Sequence, residues 1–313
     1  MTIQLRHSRI RLTQGRIFWH EVGQGPVLVF LHGSWTDSSQ WLPILERLGE
    51  EYHCCALDLL GFGESEAESV HYSIELETEC LAEYLEALRL SEVYLIGHSI
   101  GAWIAANFAI KYPERVRGLV LLAPEGVEAP GLTRRWWKES WLMGKPPVGY
   151  WLMRSLLPIA KLLGKSGAIE ENLKLRQKLI QSPAACQLLF GRRKSEIQAE
   201  YLNERLGWLT LPILLLQADR DASEVAQLSQ TYGRLIKKCN CDRSLPAAWI
   251  GRRIFRKRSP NISASLSLKR GDAKRLIEKW EVERVQRYEC PKRSGADRVG
   301  QWPQLPALWL AGN

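Results

Sequence analysis

The chain has 313 residues, 45% of them apolar, which suits a globular protein of one large α/β domain with an insertion, or of two domains. Its formal charge of +9 is uneven: residues 233–313 hold 19 Lys+Arg against 7 Asp+Glu, whereas residues 1–232 hold 24 against 27. The bulk of the chain therefore carries no electrostatic sign of nucleic-acid binding.

The first residues, Met1 to His7, contain no stretch like a signal peptide. No run reaches the ~18 uninterrupted apolar residues of a membrane span, so no stable membrane insertion is expected. The closest run, Val148 to Leu163, is broken by Arg154, Pro158 and Lys161. Seven cysteines without paired C-x-x-C spacing read as reduced thiols, pointing to a cytoplasmic protein. Cys239-x-Cys241 has no partner pair, and no metal site is expected.

In chain order, Ile3 to Leu12 and Arg16 to Val22 read as two strands around a turn at Gln14-Gly15. Pro26 to Leu31 is a continuous apolar run, as a strand buried on both faces requires. Ser38 or Ser39 can cap a helix running to about Leu48, and Tyr52 to Leu57 is the next strand. Ser73 can cap a second helix, with Glu75 to Glu79 near its start and Arg89 at its end, the favourable sense for the helix dipole. Val93 to Ile96 is a strand, Ala102 to Ile110 a helix of small apolar residues, and Arg117 to Ala123 another buried strand. Strands alternating with helices imply a doubly wound, mostly parallel sheet.

From about residue 125 to 206 the alternation stops. This segment reads as helices only, broken at Pro130, Pro146-Pro147, Pro158 and Pro183, and is too long for a loop. Its tryptophans and leucines can line a pocket for an apolar substrate or simply pack the insertion onto the main domain. A third reading, a helix lying in a membrane interface, rests on Arg134-Arg135-Trp136-Trp137-Lys138 and Trp141. The sheet resumes at Leu211 to Gln217, followed by a helix from Ser223 to Ile236. Residues 1–124 and 207–236 thus form the core, 125–206 a helical insertion, and 237–313 a basic, atypical, poorly ordered tail. No clear last strand appears in that tail, and Ala273 to Arg287 is a helix candidate with a thin apolar face.

Gly97-His98-Ser99-Ile100-Gly101 stands between a strand and a helix. That is the context a nucleophile elbow requires: the turn is so tight that small residues must flank the serine, and it aims a helix N-terminus at a bound substrate. The other reading is an ordinary strand-to-helix turn. Together with His32-Gly33-Ser34-Trp35, Asp58-Leu59-Leu60-Gly61-Phe62-Gly63-Glu64-Ser65 and Leu122-Ala123-Pro124, the motif order resembles the α/β-hydrolase family over residues 1 to about 236. The resemblance implies an eight-stranded hydrolase core with a helical cap. It also implies that Ser99 is the nucleophile and that the backbone N–H groups of Ser34 and Ile100 form the oxyanion hole. The family's acid follows the strand ending at Gln217. Asp221 fits its spacing, Asp219 is second and Glu125 third; either aspartate can instead cap the next helix.

A serine hydroxyl needs a base, and the family places that histidine after the last strand. Here no histidine follows His98. His98 reads as a core residue, His32 as shaping the oxyanion turn, and His7, His20, His53 and His71 as ordinary surface or edge residues. The tail offers a reason. Synonymous codons for Trp249 to Leu268, read one base later, permit a capped amphipathic helix followed by a stop. The same frame permits a strand from Lys237 on and a histidine codon across Ala248–Trp249. A frameshifted tail from about residue 238 is the reading this supports, and the coding DNA across residues 230–270 tests it.

The resemblance implies a serine hydrolase acting through an acyl-enzyme on a small-molecule, apolar ester or related carbonyl compound, with no cofactor. The competing readings are a ligand-binding protein of the same fold without turnover, favoured by the missing histidine, and nucleic-acid binding by the tail. The last is disfavoured, because the tail has no recognisable motif or aromatic platform. Serine at the nucleophile position argues against aspartate-nucleophile dehalogenases and epoxide hydrolases.

Overall fold

The computed structural model describes residues 4–67, 70–132, 135–144, 146–162, 166–218 and 221–237, and in the tail a short ladder at 256–257 and 280–281. The expected hairpin is present: β1 (Arg6–Leu12) and β2 (Gly15–Val22) pair antiparallel with Leu12 opposite Gly15. The strands β3 (Val27–Leu31), β4 (His53–Leu57), β6 (Val93–His98), β7 (Val116–Leu122) and β8 (Ile213–Leu216) are mutually parallel. The order across the sheet is β1-β2-β4-β3-β6-β7-β8, with the two-residue β5 (Glu66–Ala67) on β2. The fold class expected from the sequence, a mostly parallel sheet wound with helices, is the one observed.

Side chains alternate across a strand, so each strand feeds two separate cores. Val29, Leu31, Cys55, Leu57, Leu95, Leu119 and Leu121 point to one face. There they meet α2 (Ile74–Ala87), α3 (Ile100–Lys111) and α9 (Ser223–Lys237). Leu28, Phe30, Cys54, Ala56 and Tyr94 point to the other, against α1 (Leu42–Leu48). A strand buried on both sides has no room for alternating polar residues, which is why β3 reads as an unbroken apolar run. The described cysteines, Cys54, Cys55, Cys80 and Cys186, are all buried free thiols.

Ser73 caps α2 as expected, its side chain accepting from Leu76 N–H. The cap before α1 is Asp37, not Ser38 or Ser39. Its carboxylate accepts from Ser39 N–H and opens a 3₁₀ turn (Ser38–Trp41) ahead of the helix, while Ser38 is drawn inward so that its N–H donates to Asp58.

Between β7 and β8 the chain forms α4 (Trp137–Met143), α5 (Val148–Leu162), α6 (Gly167–Ile180), α7 (Pro183–Cys186) and α8 (Lys194–Ala199). The expected break at Pro158 does not occur: α5 runs through it. Pro158 is exposed, so the carbonyl its missing N–H leaves unpaired can be hydrated. The inner part of this segment joins the main core through Ala184, Ala185, Leu188, Leu189 and Ile197. It is clamped by Arg192, whose guanidinium grips both oxygens of Glu200, while Glu200 also accepts from Ile74 N–H at the start of α2. The outer part has only a small core of Leu142, Met153, Leu179 and Cys186.

In the tail, β9 (Arg256–Lys257) pairs antiparallel with β10 (Trp280–Glu281). The helix expected over Ala273–Arg287 therefore does not run through Trp280–Glu281. The remaining expectations for the tail, including a missing last strand and final helix, lie outside the described residues, as does Asp219.

Candidate active site

Ser99 joins β6 to α3 with φ 53° and ψ −113°, a conformation that costs a non-glycine residue ~1–3 kcal/mol and persists only where the surroundings impose it. They do so through the backbone. Ser99 N–H donates to Leu122 O at 2.9 Å, and Ser99 O accepts from Ala102, Trp103 and Glu125 N–H at 3.1, 3.2 and 3.2 Å. The two flanking glycines are required by close approach. A Cβ on Gly97 would lie 2.5 Å from Ala102 N, and one on Gly101 2.5 Å from the carbonyl oxygens of Leu31 and His32. The Ser99 side chain does not cap α3, which leaves its Oγ available. It stands 3.4 Å from Ser34 Oγ, so the structure brings these two sequence-predicted residues together.

Ser34 lies in the turn after β3, and His32 holds that turn. Leu59 N–H donates to His32 Nε2 at 3.0 Å, so the proton is on Nδ1, which donates to Gly33 O at 2.8 Å. His32 is fully buried, and desolvation pulls its pKa down, opposed by the Gly33 carbonyl. It is a neutral brace. Asp58 does the same work for the next loop, its carboxylate accepting from Ser38 and Glu64 N–H at 2.7 Å each. Among the described residues, neither Ser34 N–H nor Ile100 N–H meets a hydrogen-bond acceptor.

The acids stand on the same edge of the sheet as Ser99, at the carboxyl ends of the parallel strands, where ligands bind in such folds. Ala123 N–H donates to Leu216 O, tying the loops after β7 and β8 together. Asp221 follows β8; its carboxylate accepts from Gln217 Nε2 and its N–H donates to Ala218 O at 3.3 Å. Desolvation pushes the Asp221 carboxyl up, and the Ala218 and Gln217 hydrogen bonds hold it back. Glu125, the third choice on sequence grounds, touches the Ser99 backbone, but its buried carboxylate is bound to Arg135. Burial raises its pKa and Arg135 lowers it. Sequence reasoning missed that pairing, because no spacing rule links a loop residue to an arginine of an insertion.

No histidine bonds Ser99 among the described residues. His98 is half-buried with its ring against Gly33; burial first and His32 second pull its pKa down to about 4. His7 and His20 bond one another, His53 bonds Glu21 at 2.8 Å, and His71 faces Glu196. Of these four, His20 is buried rather than at an edge, since β1 and β4 flank its strand. Among the described residues, no group of three His, Cys, Asp or Glu is placed to hold a metal ion.

A cavity of about 280 Å³ lies beside this edge, lined by Trp103, Glu125, Leu132, Trp136, Phe190 and Tyr201 among others; Ser99 is not in its wall. Trp136 links the two places. Its ring lies 5.8 Å from Phe190 in the cavity and 6.3 Å from Trp35, the neighbour of Ser34.

Comparison with known proteins agrees with this geometry. Residues 26–145 match the family described as the alpha/beta hydrolase fold. The chain is 36% identical over 127 residues to a 2-hydroxy-6-oxo-2,4-heptadienoate hydrolase of Pseudomonas putida, covering 38% of this chain and 46% of that protein. It is 31% identical over 186 residues to the 1-acylglycerol-3-phosphate O-acyltransferase ABHD5 of Mus musculus, covering 54% and 50%. The chain thus spans about half the length of these curated relatives. Among solved structures, a membrane phospholipase A, a bacterial virulence factor, superposes with TM-score 0.55 at 25% identity over 74% of this chain and 76% of that one. Its sheet, its Ser99 turn and these matches show that the chain has the α/β-hydrolase fold, with residues 26–145 matching that family.

Proposed function

We propose that this chain is a serine hydrolase of an apolar ester or related carbonyl substrate, with Ser99 as nucleophile. The observation that carries the reading is the strained Ser99 turn, with its Oγ uncapped beside Ser34 and two N–H groups, of Ser34 and Ile100, left without acceptors. Ser99 Oγ adds to the carbonyl carbon, and the negative charge that develops on the carbonyl oxygen is met by those N–H groups. Removing one such donor typically costs ~100–1,000-fold in rate. The leaving oxygen takes up the proton that Ser99 gives up and departs as the alcohol; water then cleaves the acyl-Ser99 ester, returning a proton to Ser99 Oγ. Asp221, on the loop after β8, is the acid that would orient a catalytic histidine. The helices of residues 125–206 act as a cap over the core of 1–124 and 207–236, and the cavity beside Trp136 takes the apolar part of the substrate. Hydrolase relatives support the reaction class.

The chain has no histidine after His98, so turnover is expected to be slow. Serine hydrolases lacking a triad member retain only ~10³–10⁴-fold acceleration over water, from the oxyanion hole and binding. The same observation favours a second reading, a ligand-binding protein of this fold without turnover. A fluorophosphonate probe with peptide mapping separates them. An adduct on Ser99, absent in Ser99→Ala, supports an activated serine; a folded chain that stays unlabelled is a binder.

A further inference from the structure

One helix of the insertion shows apolar residues to solvent in a regular stripe. Along α5, Val148, Trp151, Leu152, Leu156 and Ile159 are exposed, at the three- and four-residue spacing that defines one helix face. The adjoining flank is buried, Gly149 against Trp141 of α4 and Met153 in the small outer core. Trp137 and Trp141 of α4 are exposed as well, and Trp141 lies against Gly149, so the two helices present one continuous surface. Exposed apolar patches of this kind mark interaction surfaces.

Charge identifies the partner. Residues 137–180 carry 8 Lys+Arg against 3 Asp+Glu, whereas the rest of residues 1–232 carries 16 against 24. α5 itself holds Arg154 and Lys161 and no acid, although Lys161 also faces Glu170 of α6 at 3.8 Å. A cationic, tryptophan-bearing face on an otherwise acidic body matches an anionic surface with an apolar interior. Among the described residues no helix is long and apolar enough to cross a membrane, and a helix with one apolar stripe and basic flanks suits the interface plane instead.

We infer that α4 and α5 dock this protein onto anionic phospholipid bilayers. Trp137, Trp141, Trp151, Leu156 and Ile159 enter the headgroup–acyl boundary, while Arg154 and Lys161 reach the lipid phosphates. This docking does not depend on Ser99 being a nucleophile.

The test is flotation of the full chain with phosphatidylcholine vesicles, with and without about one third phosphatidylserine. The full chain is expected to float with the anionic vesicles, and Ser99→Ala to float equally well. Combined Trp151→Asp and Leu156→Asp, both at exposed positions, should lower partitioning at least ~10-fold without moving the thermal midpoint. Arg154→Glu with Lys161→Glu should weaken binding to anionic vesicles more than to neutral ones. Absence of wild-type binding overturns the inference. So does undiminished binding by the aspartate variant, which would assign the attraction to the basic tail. A wild-type dimer that the aspartate variant splits, with no vesicle binding by either, also overturns it and assigns the face to a second copy of the chain.

Discussion

Helices α3 and α5 are both strongly apolar in sequence, and they meet opposite fates. In α3, ten of twelve residues are buried; in α5, two of fifteen are. The small residues Ala102, Ala105, Ala106 and Ala109 let α3 sit close on the sheet, with α2 and the loop before β8 covering its remaining sides. Bulky apolar residues dominate α5, and among the described residues its main neighbours are α4 and α6. Apolar content thus says that a side chain is better off out of water. It does not say what will cover it.

The sharpest way to break this comparison is to exchange one tryptophan from each region. Trp103 is 1% exposed, its Nε1–H donates to Glu200 O, and it packs on Tyr201. Trp103→Ala is expected to cost ~3–5 kcal/mol in chemical denaturation, through the cavity it leaves beneath Gly126. A loss under about 1 kcal/mol would mean that the α3 core is looser than its geometry.

A second effect tests what close packing does to charge. Glu77 of α2 is buried; Leu60 N–H donates to one carboxylate oxygen and the other has no partner. Burial pushes its pKa from 4.5 to about 8, against the Leu60 hydrogen bond. Between those values the folded chain holds a proton that the unfolded chain has released. The group's contribution is therefore fully present below pH ~4.5 and is lost as pH rises through about 8, by at most ~1.4 kcal/mol per pH unit. Glu77→Gln should flatten that slope, so its midpoint at pH 9 should exceed that of the wild type, with little difference at pH 5. Equal slopes in thermal unfolding at the two pH values would show that Glu77 is ionised and solvated in the fold.

The smallest expected effect lies on the outer helix. Trp151 is 57% exposed, and Trp151→Ala should change stability by no more than ~0.5 kcal/mol, while still weakening vesicle flotation. A loss comparable to that of Trp103→Ala would show that α5 is covered within the folded chain, and the contrast between the two helices would collapse.

Much of this architecture was legible in the residues, because local rules govern it. Unbroken apolar runs marked the doubly buried strands β3 and β7, and Ser73 marked the start of α2. Glycines two places either side of Ser99 marked a turn that only a close backbone approach explains. Where a local rule had two candidates, neighbours chose: Asp37 took the cap before α1 because Asp58 draws Ser38 inward. Where a local rule was too strict, exposure relaxed it: Pro158 stays within α5 at an exposed position, where the carbonyl it leaves unpaired can be hydrated.

By itself, then, the sequence determined the alternation of strands and helices, the Ser99 turn with its Ser34 partner, and the lack of any histidine after His98. Each depends on a residue and its near neighbours in the chain. Tertiary structure alone decided that Glu125 is held by Arg135, that the cavity lies beside Ser99 rather than around it, and that one face of α5 is left to solvent. Those outcomes depend on residues far apart in the chain whose meeting is fixed only when the sheet and its helices pack.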